Sequence, residues 1–445
     1  MKKYVKVISL LLCVAIIVGC MAGCGSKSKG GKVTITVPDL VLNSLGSNAY
    51  LQQKQEEFNR LYGEEIEVKH ILPTTSSDTN DVQNLSAVLI SNDAPAFINV
   101  SSTIYMKDLY NMGLIRDITD LVSDSEVFNK NTKLSIEACK YSDGKIIGYP
   151  AAAEVPLLGF YNSALTEAGY NPATFSVETW DDYYNAAKKM NTSAHKGASL
   201  FASEFFLWPN NWILSNGGRI ALQNTDGTIK LNYTDRKVVE AIEFLQKLYK
   251  EKLTNSNIGY TDIDSMFSSI YNKQVASFTM YPTWLSRFVD SGIDPNQITL
   301  SMFPKGPSGE YTNVMYVSSI VFNASLTDEE AKAAIKYVEF MHSEEYYKGY
   351  YEFCKNNGVS QFTIPCVEGV DWWSSLTDFP QQWIEVIKTA IKTAEDISLD
   401  STGFSTYISA DLPSIITGSG KVTDGMAASE KTATKEWLNN YNKKK

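Results

Sequence analysis

The chain has 445 residues, of which 44% are hydrophobic and 20% are charged, and its formal net charge is −10 at pH 7. This length suits two domains, and the composition is that of an ordinary globular protein. The acidic balance argues against a nucleic acid partner and against adhesion to an anionic membrane, because both need clustered Lys and Arg.

Residues 1–23 have the pattern of a targeting segment. Lysines at the start precede an apolar run at residues 7–18 that is too short for a comfortable membrane span. Small residues then precede Cys20 and Cys24, as in the lipobox of bacterial lipoproteins, in which the cysteine is acylated. Cys24 is the preferred acylation site because residues 24–32 form a polar, flexible tether. Cys20 is the second choice, and a plain secretory leader or an uncleaved anchor is the competing interpretation.

Hydrophobic periodicity predicts alternating strands and helices in the first part of the mature chain. Alternating, β-branched runs predict strands at residues 33–37, 66–71 and 96–100. Apolar residues at helical spacing predict helices at residues 47–61 and 81–91. This β-α-β-α-β order predicts a mostly parallel sheet with helices on both faces.

The later part of the chain repeats this alternation without a Pro-, Gly- or Ser-rich linker. Thr179 has the chemistry of an N-cap residue, and the acids at residues 328–330 suit the start of a helix, where the dipole favours negative charge. The further predicted elements are helices at residues 178–190, 235–250, 264–271, 327–342 and 432–441 and a strand at residues 275–280. Two α/β units without a linker indicate lobes that are joined by several passes of the chain.

The segment 144–162 is the centre of this organisation. Its two strand-like runs, Ile146-Ile147 and residues 157–161, flank a connection of small residues that carries one carboxylate, Glu154. The pattern fits either a crossing point between two lobes or an ordinary hairpin with a solvated Glu.

The sequence contains no catalytic or nucleotide-binding motif of the common kinds. We find no nucleophile elbow, zinc-protease helix, phosphate loop or dinucleotide fingerprint. His70, His195 and His342 are far apart and lack the spacing of a zinc site. The sequence therefore predicts no catalytic residue, no metal site and no cofactor.

Beyond the tether the chain has three cysteines, an odd number that cannot all pair with one another. Cys354 and Cys366 either form a disulfide or remain buried free thiols, and Cys139 is left over in both cases.

Several motifs occur in a familiar order along nearly all of the mature chain. They are residues 91–95 (SNDAP), 144–150 (GKIIGYP), 160–162 (FYN), 168–172 (AGYNP), 179–182 (TWDD) and 273–284 (KQVASFTMYPTW). Together they resemble the carbohydrate-type extracellular solute-binding proteins of bacterial ABC importers, the family of maltose-binding protein. Ala96 departs from this pattern, because an Asp usually follows that proline in the family.

The resemblance implies an α/β, two-lobed fold of the periplasmic-binding-protein type. Each lobe is expected to contain a mostly parallel sheet flanked by helices, with a ligand cleft between the lobes. The implied N-terminal lobe comprises residues 33–152 and 317–360, and the C-terminal lobe comprises residues 153–316 and 361–445. The segment 144–162 becomes a crossing, and ligand binding closes the lobes by a hinge motion.

The resemblance also implies roles for single residues in ligand contact. Glu154 matches a glutamate that hydrogen-bonds sugar hydroxyls in the family, although it either touches the ligand or only shapes the hinge. Trp284 matches a tryptophan whose ring supports a sugar face. Phe205 and Trp208 fall in a segment that supplies aromatic contacts in the family.

Other candidates follow from position in the expected fold. Asn99 and Ser101 follow the third strand, at the end of the sheet where open α/β folds bind ligands. The remaining candidates are Trp212, Tyr281, Tyr316 and Tyr407. For each aromatic residue, core packing is the alternative interpretation.

Three functions from two classes follow from these expectations. The leading one is a monomeric, lipid-anchored binding protein on the outside of the cell membrane that delivers a sugar or oligosaccharide to an ABC permease. The second is a binding protein for an anionic metabolite, such as a glycerol phosphate or an acidic sugar, with Arg287 as its cation. The distant third is a surface glycoside hydrolase with two acids.

Overall fold

The computed structural model describes residues 31–38, 45–71, 82–100, 103–206, 208–224, 228–259, 263–359, 363–371, 373–375, 379–396 and 402–443. The predicted leader, Cys20, Cys24 and Ser101 lie outside these ranges. Within the described ranges, no helix combines the length and the apolar character that a membrane span requires.

The described strands are distributed along the whole chain. They are β1 (Val33–Pro38), β2 (Ile66–Ile71), β3 (Phe97–Val100), β4 (Tyr149–Glu154), β5 (Leu157–Tyr161), β6 (Ala221–Gln223), β7 (Ile229–Leu231), β8 (Ser277–Met280), β9 (Ile298–Ser301), β10 (Asn313–Phe322), β11 (Ile364–Pro365) and β12 (Ala394–Asp396).

The described α-helices alternate with these strands. They are α1 (Leu45–Tyr62), α2 (Val82–Leu89), α3 (Thr103–Asn111), α4 (Thr119–Val122), α5 (Glu126–Asn129), α6 (Lys133–Ala138), α7 (Asn162–Glu167), α8 (Trp180–Met190), α9 (Pro209–Ser215), α10 (Arg236–Lys250), α11 (Ile263–Tyr271), α12 (Pro282–Asp290), α13 (Asp328–Met341), α14 (Glu344–Asn357), α15 (Gln381–Lys392), α16 (Thr402–Thr417), α17 (Val422–Ala433) and α18 (Asn439–Asn442).

The first lobe is built on β1, β2, β3, β4 and β10. β1 pairs with β2 in parallel, and β10 pairs with β3 and β4 in antiparallel directions. The N–H of Ala96 donates to the carbonyl of Thr36 at 2.6 Å, which brings β3 beside β1. α1 and α13 cover this sheet, and Phe58 packs edge-on against Tyr337 with 4.9 Å between ring centroids.

The second lobe has β5 at its centre, between β8 and β9. Both pairings are antiparallel. α15 packs on β9, and the indole N–H of Trp383 donates to the carbonyl of Ile298 at 2.8 Å. α10 packs against α9, α16 and α17.

Segment 144–162 joins the two sheets. β4 pairs with β10 and β11 in one sheet, whereas β5 pairs with β8 and β9 in another, so the two consecutive strands do not form a hairpin with each other. The segment is therefore a crossing, as the resemblance implies.

Three details of the sequence-based predictions need correction. Most described strand pairings are antiparallel, because β10 returns from far along the chain and inserts beside β3 and β4. The strand before the crossing is Tyr149–Glu154 and not Ile146-Ile147, since the small residues fit between two neighbouring strands. The last helical region begins at Val422, well before the predicted residue 432.

The predicted helix starts are confirmed in atomic detail. Thr179 and Asp182 form a reciprocal capping box at the start of α8. Thr327 and Glu330 do the same at the start of α13. Each box satisfies backbone N–H groups that the first helical turn leaves without partners.

Candidate functional site

Glu154 ends β4 at the crossing between the two sheets. It lies opposite Tyr316 of β10, and the N–H of Thr283 in the first turn of α12 approaches its Oε2 at 3.5 Å. Its Oε1 is buried and has no hydrogen-bond partner among the described residues. Burial raises the pKa of the Glu154 carboxyl to about 8, and the Thr283 contacts oppose part of that rise. A buried acceptor without a partner is costly, so this position is suited to a ligand that brings a donor.

A polar network surrounds this carboxyl. The side-chain amide of Asn211 donates to the hydroxyl of Tyr281 at 3.0 Å, and the Tyr316 hydroxyl lies 3.2 Å from the Asn211 Oδ1. The amide of Asn210 donates to the Tyr316 hydroxyl at 3.4 Å. Burial raises the pKa of Tyr281 well above its ordinary value, and the nearby Tyr316 and Glu154 add to the rise. The network fixes both tyrosine rings beside Glu154.

An aromatic group lies next to this network on α12. The ring of Trp284 stacks on Trp208 with 6.0 Å between centroids, and Tyr281 meets its edge at 4.7 Å. Phe267 meets Trp284 edge-on at 5.0 Å. Trp284 is half-buried, whereas Trp208 is only 1% exposed. Trp284 therefore offers the accessible ring, and Trp208 supports it from within the lobe.

The structure thus brings together Glu154, Tyr316, Tyr281, Trp284 and Trp208 out of the predicted site residues. They come from the two strands β4 and β10 and from the starts of α9 and α12. Both helices begin with a proline, which needs no N–H partner at that position.

The other predicted residues are placed elsewhere or in the core. Trp212 is 2% exposed and packs against Trp180, Tyr183 and Phe244. Phe205 is also buried, and its carbonyl accepts the N–H of Asn210.

Two further predicted residues, Asn99 and Tyr407, lie on elements that do not contribute to the group around Glu154 and Trp284. Asn99 is exposed on β3, opposite Ile320 of β10. Tyr407 is half-buried on α16, a helix that contacts α3 of the first lobe.

Asn210 and Asn211 are the residues that sequence reasoning missed. They are buried at 4% and 2% exposure, directly after Pro209. The sequence offered one weak signal for them, which is two adjacent amides directly after the proline that starts a helix. Such polar residues are usually exposed, and when they are buried they need hydrogen-bond partners.

Arg287 lies one turn after Trp284 on α12. Its guanidinium carbon is 5.2 Å from the ring centroid of Phe267, so the cation is stacked on an aromatic ring. In the described part of the chain, no Lys, Arg or His lies within ion-pair distance of Glu154. The group around Glu154 is therefore polar and aromatic, and none of the described ion pairs involves its carboxyl.

Cys354 and Cys366 are both buried and form no disulfide, and Cys139, which is also buried, is in no disulfide either. Burial raises the pKa of Cys354 to about 11. The Cys354 thiol is therefore unreactive at neutral pH. All three cysteines lie outside the group formed by Glu154 and Trp284.

Comparison with known families gives one match that covers most of the chain. The family described as bacterial extracellular solute-binding protein matches residues 43–348. No curated protein sequence matches the chain.

Several solved structures share the fold. An ABC substrate-binding protein (Lmo0181) of Listeria monocytogenes, in complex with cycloalternan, has a TM-score of 0.70 and 18% identity over 90% of this chain and 98% of its own. Maltose-bound MalE3 of T. maritima has a TM-score of 0.70 and 18% identity over 91% and 99% of the two chains. UgpB of Mycobacterium tuberculosis, in complex with glycerophosphocholine, has a TM-score of 0.71 and 15% identity over 93% and 100%.

Proposed function

The chain belongs to the bacterial extracellular solute-binding proteins, and from this premise we propose that it captures a sugar or oligosaccharide and delivers it to an ABC permease. The family resemblance drawn from the motifs is confirmed, and the family works on the outside of the cell. The two-lobed α/β fold is confirmed as well. In our proposal the protein is a monomeric carrier without catalytic activity and without a nucleic acid partner.

One observation carries the choice of a sugar. The Oε1 of Glu154, which has no hydrogen-bond partner in the part of the chain that the structure describes, lies in the same polar and aromatic group as the accessible ring of Trp284. The Glu154 carboxyl accepts hydrogen bonds from hydroxyl groups in either protonation state, and most strongly once it is ionised, above about pH 8. An indole ring provides a large, rigid apolar surface for the C–H face of a sugar ring. A saccharide presents both features on one small molecule, and Tyr316 adds a hydroxyl at the same place.

An anionic metabolite is the weaker candidate, although one structural neighbour was solved with glycerophosphocholine. An anion would need a cation at the site, and Arg287 is stacked on Phe267 rather than placed at Glu154. A phosphate beside Glu154 would also meet a like charge once the carboxyl ionises.

A glycoside hydrolase would need a second acid on the opposite side of the scissile bond. No other carboxylate influences the pKa of Glu154 among the described groups. We therefore favour a carrier over an enzyme.

For the lobes we propose the boundaries that the motifs imply, with residues 33–152 and 317–360 in one and residues 153–316 and 361–445 in the other. The packing of α13 on β1, and of α15 on β9, supports this division. β11 pairs with Ala152 and Ala153 of β4, so the second part of the C-terminal lobe starts at a chain passage beside the first sheet. Val155 and Pro156, between β4 and β5, are then one of the hinge passages.

We further propose that Cys24 is acylated and that two or more acyl chains hold the protein at the cell membrane. Cys24→Ser is expected to abolish incorporation of labelled palmitate in the producing cell and to release the protein into the medium. Cys20→Ser is the matched control and should stay labelled and bound. If only Cys20→Ser loses the label, the anchor is Cys20.

The test of the proposed function is a titration of intrinsic tryptophan fluorescence against a panel of saccharides that includes maltose, laminaribiose and cycloalternan. Saturable quenching with no product in the same tube supports a sugar carrier. Product formation would show an enzyme instead. Saturation by glycerol phosphates, with no response to any saccharide, would favour the anionic alternative.

A further inference from the structure

At one point in the pairing of β4 with β10, β4 contains one residue more than β10. Ser318 of β10 pairs with Ala152, but the next residue, Ser319, pairs with Pro150, so Ala151 has no opposite residue. This is a β-bulge, in which the extra residue disrupts the ladder and re-aims the side chains that follow. Glu154 lies only three residues beyond it.

A side chain from α14 donates a hydrogen bond to the carbonyl of the bulged residue, Ala151. The hydroxyl of Tyr347 donates to the carbonyl oxygen of Ala151 at 2.8 Å, and the ring of Tyr347 is 5% exposed. The hydrogen bond therefore satisfies a backbone acceptor in the interior, at the point where the strand pairing is interrupted.

His342, the residue that follows α13, holds this tyrosine. Its Nδ1 lies 2.8 Å from the Tyr347 hydroxyl. Because that hydroxyl gives its single proton to Ala151, the contact requires a proton on the Nδ1 of His342. Burial lowers the pKa of His342 to about 4, so the imidazole is neutral at pH 7 and this hydrogen bond does not switch in the neutral range.

We propose that Tyr347 is a positioning residue for ligand binding: by holding the bulge at Ala151 it fixes the strand register that places Glu154 beside Tyr316. Side chains alternate along a strand, so a slip of one residue would turn Glu154 to the opposite face of the sheet. This inference rests on the proposed function, because it takes Glu154 as a ligand contact.

The test compares Tyr347→Phe with Tyr50→Phe. Tyr50 is a matched control, since its buried hydroxyl also donates to a backbone carbonyl, that of Tyr346 on α14, at 2.9 Å. Each variant is titrated with maltose or laminaribiose, whichever the wild type binds more tightly. We expect Tyr347→Phe to bind about five- to tenfold more weakly, the effect of losing one buried hydrogen bond, and Tyr50→Phe to bind as the wild type does.

A double-mutant cycle with Glu154→Gln separates positioning from general loosening. If Tyr347 acts through Glu154, Tyr347→Phe costs little further affinity once Glu154→Gln is present. The inference would be overturned if Tyr347→Phe weakened saccharide binding as much in the Glu154→Gln protein as in the wild type. It would also be overturned if Tyr347→Phe alone bound with wild-type affinity. Wild-type affinity of Glu154→Gln would instead overturn the proposed ligand contact, and this inference with it. If Tyr347→Phe fails to fold, His342→Leu, which removes the donor to Tyr347, goes through the same cycle with the same outcomes.

Discussion

Replacing Glu154 by Gln is expected to weaken saccharide binding at pH 8.5 by roughly 10- to 100-fold, the range for losing a hydrogen bond to a charged group. The amide keeps the size of the side chain but lacks the negative charge that would accept from ligand hydroxyls. Isothermal titration with the best saccharide of the panel measures the loss. Glu339→Gln is the control, because Glu339 is also a partly buried acid but accepts from Ser125 in the first lobe.

The same substitution is expected to stabilise the unliganded protein at high pH. The folded state keeps the pKa of Glu154 at about 8, above the ordinary value of 4.5. The contribution of the protonated Glu154 carboxyl to the free energy of unfolding is therefore complete below pH 4.5, and it is lost as the pH rises to about 8. The free energy of unfolding of Glu154→Gln, relative to that of the wild type, should therefore be higher at pH 8.5 than at pH 4.5 by roughly 2 to 4 kcal/mol. Denaturant unfolding at both pH values measures this gain, and an equal difference at the two values would contradict it.

Trp284→Ala is expected to weaken saccharide binding by roughly 10- to 50-fold while the protein stays folded. The ring is half-buried and packs on Trp208, Tyr281 and Phe267, so its loss removes the ligand-facing surface of an otherwise intact lobe. Fluorescence titration and a melting curve on the same sample separate the two effects.

Trp373→Ala serves as the control for that substitution. Trp373 is also half-buried, and Lys388 lies over its ring at 5.2 Å, but it is on another element of the chain. Binding of Trp284→Ala with wild-type affinity would show that the ligand does not use this ring.

The helices were the most predictable part of this fold. The periodic pattern of α10 and the cap residues of α8 and α13 are local signals, and the structure reproduces their starts within a residue or two. Strand directions were harder to predict, because β3 and β4, the two antiparallel neighbours of β10, lie more than a hundred positions before it in the chain. No local pattern reports such a pairing.

Site residues could be predicted where they belong to a family motif. They could not be predicted where burial decides whether a side chain faces the site or the core. Glu154 and Trp284 were found through the resemblance, and the structure places both in the group beside the crossing. Trp212 has the same chemistry as Trp284 but lies in a core cluster, since the two tryptophans differ only in what packs around them. The Ala151 bulge and its partner Tyr347 leave no local signal at all.

The most direct test of the sugar-binding account is a crystal structure of the protein with the saccharide that it binds most tightly. We expect one sugar ring to lie against the face of Trp284 and one hydroxyl to lie within hydrogen-bond distance of the Glu154 carboxyl, whose Oε1 has no partner among the described residues. A saccharide bound elsewhere, with Glu154 and Trp284 untouched, would contradict the account.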